Sequence, residues 1–146
     1  MLLPFDLRLI ATGRFDQECR ALADRHYSRQ KPGTPQFSPP GELLILRDAC
    51  GDVVLAFIRQ RYRKDGQRGV YCSIFRNESA RLSSAILLES EATVRVRWGA
   101  VRLFTFIDPA KVKSPNPGYC FKMAGWQFEG INPKRQHILA KILFAE

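Results

Sequence analysis

The sequence predicts an α+β fold, a mixed central sheet flanked by helices in an α/β/α-like arrangement, and three observations predict it. Two apolar runs, 43–46 and 53–58, flank Asp48-Ala49-Cys50-Gly51-Asp52, which has the spacing and residue types of a β-hairpin. Further on the period changes: Leu82, Ala85, Leu88, Ala92 and Val96 step by three or four, as one apolar stripe of a helix does. That helix lies between two strand-like runs, 70–75 and 101–107, the order of a β-α-β unit.

Taken from the N-terminus, residues 5–10 alternate well enough for a short strand. Residues 13–26 place Phe15, Cys19, Leu22 and His26 on one helical face, so His26 closes a helix on its buried side. From 28 to 41, Pro32, Pro35, Pro39 and Pro40 with two glycines exclude regular structure and give a stiff loop of lid length. The hairpin follows, then a basic turn and the strand 70–75. The long helix is expected over about 79–97 and ends at Gly99. Asp108-Pro109 halts the next strand, a short helix begins near Gly118, and a last strand or short helix covers 136–144. The order reads β, α, ββ, β, α, β, α, β. With 146 residues, no internal repeat and no low-complexity linker, one domain over 1–146 is expected.

Charge is the unusual feature. The chain carries 23 Lys and Arg against 14 Asp and Glu, a net +9, which favours a polyanionic partner such as DNA through long-range attraction and counterion release. A solvated basic surface is the plainer account. The densest segment, 59–68, holds Arg59, Arg61, Arg63, Lys64 and Arg68 against Asp65 alone. Arginines on alternate positions of a strand end project from one face, and Tyr62 supplies a ring that can stack on a base, so the segment reads as a phosphate-contacting strip or as an exposed hairpin tip. The cysteines Cys19, Cys50, Cys72 and Cys120 have no metal-ligand spacing, so no metal site is expected. No signal peptide or membrane-spanning run is present, so a cytoplasmic protein without a membrane partner is expected; the oligomeric state is left open.

Several residues have the chemistry of a site. Arg76-Asn77-Glu78 ends one strand and opens the long helix, while Asp108 ends the next strand. If those strands are parallel neighbours, their carboxyl ends lie side by side where open sheets bind ligands. Alternatively, Asn77 or Ser79 is the helix N-cap and Asp108 a turn residue. Ser83 and Ser84 lie in the first turns of the helix, whose amides favour an anion or a developing negative charge. His26-Tyr27-Ser28 joins an imidazole suited to moving protons near neutral pH to the proline-stiffened loop, although a core histidine is the alternative. In 115–126, Tyr119, Lys122 and Trp126 stand three and four apart and offer a hydroxyl, a cation and a stacking face; a core tryptophan with a snorkelling lysine is the other reading.

The stretches Arg-His-Tyr-Ser-Arg-Gln-Lys-Pro-Gly-Thr-Pro-Gln-Phe (25–37), Ile-Phe-Arg-Asn-Glu-Ser-Ala-Arg-Leu-Ser-Ser (74–84) and Pro-Asn-Pro-Gly-Tyr-Cys-Phe-Lys-Met-Ala-Gly-Trp (115–126) together resemble the Mom-type DNA modification proteins of Mu-like phages and prophages, a divergent branch of the GNAT acyltransferase superfamily. The likeness covers most of residues 15–135. It implies a GNAT-like domain that adds a carbamoylmethyl-type group to adenine N6, an anti-restriction hypermodification made in the host bacterial cytoplasm. It places the family's functional positions on His26, Tyr27, Arg76, Ser83 or Ser84, and Asp108; the expectation taken from the whole reading is that His26, Tyr27, Asp108 and Ser84 are catalytic and that Arg76, Asn77 and Ser83 bind the donor. Arg59, Arg61, Tyr62, Arg63, Lys64, Tyr119 and Lys122 would meet the nucleic acid. Where GNAT enzymes carry a Q/R-x-x-G-x-G/A loop, this chain has Phe75-Arg76-Asn77-Glu78-Ser79-Ala80. The missing glycines remove the close backbone approach that a pyrophosphate needs, which leaves the donor open between acetyl-CoA and another activated acyl or glycyl compound. The alternatives are an acetyl-CoA-dependent N-acetyltransferase and a non-enzymatic nucleic-acid-binding module of the same fold.

Overall fold

The computed structural model describes residues 8–26, 41–112 and 114–144, with seven strands and three helices in a mixed α+β fold. These residues fall into two compact units, one within 1–61 and 72–81, the other within 62–71 and 82–146. The expected lid loop lies almost wholly outside the described residues, and so do residues 5–7 of the first expected strand.

In the first unit, β1 (Ile10–Thr12) pairs antiparallel with β2 (Glu42–Arg47), and β2 with β3 (Val53–Arg59). The hairpin is as expected, and its turn has a physical cause. Asp48 is buried and its Oδ1 accepts from the Asp52 amide at 2.8 Å and the Val53 amide at 3.1 Å, so one side chain satisfies the donors of the returning chain. The first helix is shorter than its periodicity suggested: α1 spans Gln17–Asp24. Asp16 caps it, accepting from the Cys19 amide at 3.0 Å, from Thr12 Oγ1 at 2.8 Å and from Arg47. Phe15 therefore precedes the helix and is 63% exposed, while Cys19, Leu22 and Ala23 pack with Ile45, Val54, Ala56 and Ile74. His26 lies beyond the C-cap residue Arg25, half-buried, and does not sit on the helix face. The fourth strand, β4 (Val70–Asn77), continues through Asn77, two residues past the expected end at Phe75.

In the second unit the first residues of β4 pair parallel with β5 (Arg102–Ile107), Val70 opposite Leu103 and Tyr71 opposite Phe104. Next to β5 lies β7 (His137–Ile142), antiparallel, and β7 carries β6 (Gln127–Ile131). The segment 136–144 is thus a strand. β6 was not foreseen: it is short, exposed along most of its length and broken in register between Phe128 and Gly130, so it lacks the alternation that marks a half-buried strand.

Helix α2 (Ser83–Trp98) corrects two expectations. Its N-cap is Leu82, so neither Asn77 nor Ser79 caps it; Asn77 instead closes the preceding turn, accepting from the Ser79 amide and donating to Arg81 O. The apolar stripe Leu82, Leu88 and Val96 faces solvent at 72, 50 and 89% exposure. The buried face is Ile86, Leu87, Ser90, Glu91 and Val94. Gly99 ends the helix as expected, with φ 77°. Helix α3 (Tyr119–Met123) opens at Gly118, whose φ of 76° and contact with Leu139 leave no room for a Cβ.

The polar buried face of α2 is held by a compact set of bonds. Glu91, 2% exposed, accepts from Lys141 Nζ at 2.6 Å and from the Trp126 indole at 3.4 Å; Lys141 also donates to Ala124 O at 2.7 Å. Trp126 is buried against Phe121, ring centroids 4.9 Å apart, so its sequence reading as a core residue holds and it offers no stacking wall to a base. Removing one partner of a buried ion pair strands the other. Glu91→Ala is expected to lower unfolding free energy by about 3 kcal/mol in urea titrations, and Glu91→Gln, which keeps an acceptor, by less.

Candidate functional site

The first unit gathers His26, Arg25, Arg76 and Glu78. The chain leaves α1 through a tight turn in which the His26 amide bonds Ala23 O at 2.9 Å, and the end of β4 brings Arg76 to it. Arg76 Nη1 donates to Arg25 O at 2.9 Å and its Nε to Glu78 Oε2 at 2.7 Å. Arg25 meets the same carboxylate in a two-pronged fork, Nε to Oε2 at 2.8 Å and Nη2 to Oε1 at 3.0 Å. Glu78 itself is fixed through its backbone, since its amide bonds Asp52 O at 2.7 Å.

These charges set the protonation states. Burial, with the positive charge of Arg76 beside it, lowers the His26 pKa to about 4, so its ring is neutral at neutral pH. Hydrogen bonds from Arg25 and then Arg76 hold the Glu78 carboxyl at about 2. A neutral imidazole next to a fixed guanidinium can accept a proton, but weakly; it accepts a hydrogen bond at its bare nitrogen and donates one from its N–H.

The other expected residues are placed as follows. Tyr27 lies outside the described residues. The Asn77 side-chain amide closes the 77–81 turn, donating to Arg81 O and accepting from the Ser79 amide. Ser83 and Ser84 are the first two residues of α2, half-buried, in the second unit. Asp108 follows β5 in the same unit; its Oδ1 accepts from the Ala110 amide at 3.0 Å and its carbonyl from the Lys111 and Val112 amides, the geometry of a turn residue. Tyr119 is 56% exposed, and Lys122 bonds Asn116 Oδ1 at 2.6 Å. His26 and Arg76 thus come together within one unit, and Asp108, Ser83 and Ser84 belong to the other.

The basic strip is also revised. β3 ends at Arg59, so Arg61 and Arg63 do not alternate along a strand. Arg59, Arg61, Tyr62, Lys64 and Arg68 are exposed. Arg63 is turned inward: it pairs with Asp65 at 2.6 Å and lies over the rings of Tyr71, Phe104 and Phe106 at 4.7, 5.2 and 5.8 Å. It anchors the loop at home, a role that Phe104 and Phe106, distant in sequence, reveal.

Compared with protein-family models, curated proteins and solved structures, the chain finds no match. Among the described residues no helix is long and apolar enough to cross a membrane.

The His26 shift has a defined sign. The folded state keeps the ring neutral to about pH 4, while the unfolded chain takes its proton near 6.5. The stability associated with it is therefore full above 6.5 and is lost as pH falls through 4, with a slope of at most about 1.4 kcal/mol per pH unit. Chemical denaturation from pH 7.5 to 4.5 is expected to show this decline, and His26→Gln to flatten it; an unchanged slope in the variant would show that other groups carry it.

Proposed function

We propose that the protein is a DNA base-modifying transferase of the Mom type, acting on adenine N6 in the bacterial cytoplasm and built on a GNAT-like fold. The observation that carries this reading is the neutral, half-buried imidazole of His26 held beside Arg76, within two of the sequence stretches that resemble that family. Supporting it, a sequence-contiguous set of exposed cations, Arg59, Arg61, Lys64 and Arg68, with the 80% exposed ring of Tyr62, has the chemistry of backbone contact and base stacking.

Adenine N6 is a poor nucleophile because its lone pair is delocalised into the ring. In the proposed step N6 forms a bond to the electrophilic carbon of the donor, the donor's leaving group departs with the bonding pair, and the N6 proton passes to a base. Asp108 and His26 are the candidate bases, and Tyr27 the positioning group. Arg76 would steady negative charge on the donor. An activated acyl or glycyl compound serves as donor in this reading. Titration with acetyl-CoA separates it from the acetyltransferase alternative, for which low-micromolar binding with acetyl transfer to a small amine is required.

Mass spectrometry of nucleosides from DNA of cells expressing the protein is expected to show a modified adenine. His26→Ala and Asp108→Asn are each expected to lower it by about 10²-fold or more while the protein stays folded. Wild-type yield from both would reject these residues as the acid-base groups. In binding assays, joint replacement of Arg59, Arg61 and Lys64 by alanine is expected to weaken every DNA sequence alike and to reduce the log–log salt slope by about three units, near one per phosphate contact. DNA binding of this kind with no modified nucleoside would favour the non-enzymatic module.

A further inference from the structure

We propose that Arg25 and Arg76 form a carboxylate-binding fork in which Glu78 is a built-in competitor, and that the ligand admitted is a small molecule bearing a free carboxylate. The proposal rests on the reading of Arg76 as a donor-binding residue and names the chemical class of what it binds.

Geometry is the first support. Two guanidiniums from different elements, the C-cap of α1 and the end of β4, converge on one carboxylate with three bonds of 2.7–3.0 Å. The bond from Arg76 to Arg25 O fixes the guanidinium plane of Arg76 independently of Glu78, so the cationic half of the site stays formed when the carboxylate leaves. Planar forks of this kind select carboxylates by two-pronged bonding. Glu78 already shows that a carboxylate fits.

Exchange is the second. The side chains of Arg25, Arg76 and Glu78 are 51, 33 and 32% exposed, so solvent reaches the cluster. Ion pairs this exposed contribute little to folding, which makes displacement of the glutamate cheap. Because the Glu78 amide stays tied to Asp52 O, its side chain can swing out without unravelling the turn. Charge is the third: two guanidiniums converge on a single carboxylate, so an anionic ligand that takes the place of Glu78 keeps the same charge balance.

Acetate and inorganic phosphate, titrated at constant ionic strength and followed by the His26 ring and arginine Nε resonances, test the proposal. Glu78→Gln is expected to bind acetate about tenfold more tightly than the wild type, the size of one charge-assisted hydrogen bond gained. Adding Arg76→Gln should abolish the gain. In the wild type, saturating acetate is expected to move the Glu78 carboxyl from its pKa of about 2 toward 4.5, read from its carboxyl carbon shift; this measurement needs no variant. No gain in Glu78→Gln together with an unmoved Glu78 carboxyl would overturn the fork. A gain that survives Arg76→Gln would do so as well, and an equal gain for phosphate would overturn the carboxylate assignment. None of these measurements involves DNA, so failure of the fork leaves the nucleoside test intact, and a negative nucleoside test leaves the fork standing.

Discussion

The buried carboxylate of Glu91 is the constraint that organises the second unit. A carboxylate at 2% exposure is tolerated only with its charge and lone pairs answered. Lys141 on β7 and the Trp126 indole before β6 answer them, and Lys141 in turn satisfies Ala124 O at the end of α3. One residue of α2 thereby fixes the approach of three other parts of the unit. Its position also decides which face of α2 turns inward. Leu82, Leu88 and Val96 carry about as much apolar surface as Ile86, Leu87 and Val94. Only the second set shares a face with Glu91 and with Ser90, whose hydroxyl returns to Leu87 O at 2.7 Å.

The first unit uses the same device closer to the surface. Burial pushes the Asp16 carboxyl up, but bonds from the Cys19 amide, Thr12 and Arg47 outweigh that and hold it at about 2. Asp16 therefore caps α1 as an anion and ties the helix to the end of β2 through Arg47, which also reaches Glu18 at 3.2 Å. Helix α1 is only eight residues long and would not persist alone. With its start tied to β2, the chain leaving its other end delivers Arg25 and His26 to the end of β4. The candidate site is thus a consequence of how a short helix is pinned.

These features explain what the sequence made legible. The hairpin could be read because its signal is local: two apolar runs and a turn whose aspartate satisfies its own backbone. The ends marked by Gly99 and Gly118 could be read because a left-handed backbone selects glycine whatever the surroundings. The inward face of α2 could not, since periodicity weighs apolar residues and is silent about a buried glutamate whose lysine lies fifty residues on. β6 escaped for the opposite reason, having too little burial to impress a pattern. At the site, Arg76 and His26 stood out by type. Arg25 and Glu78 were present in the quoted stretches, but their pairing across fifty-three residues belongs to the fold alone.

Charge shows most clearly how composition and structure divide the work. The net +9 predicts attraction to a polyanion without saying which cations carry it. The fold sorts them by what each guanidinium or ammonium has to do at home. Arg47, Arg63 and Lys141 hold elements together and are largely withdrawn from solvent. Arg102 links the 62–69 loop to β6 through Arg68 O, Gln67 and Glu129. Arg25 and Arg76 share a carboxylate that solvent can reach. Arg59, Arg61, Lys64 and Arg68 remain exposed along one short segment. Long-range attraction is set by the whole surplus, whereas short-range contact can be made only by cations that can leave their present partners at small cost. Among the described residues the exposed cations of 59–68 and the solvent-reached pair Arg25 and Arg76 meet that condition, the first as neighbours along one short segment and the second on one shared carboxylate.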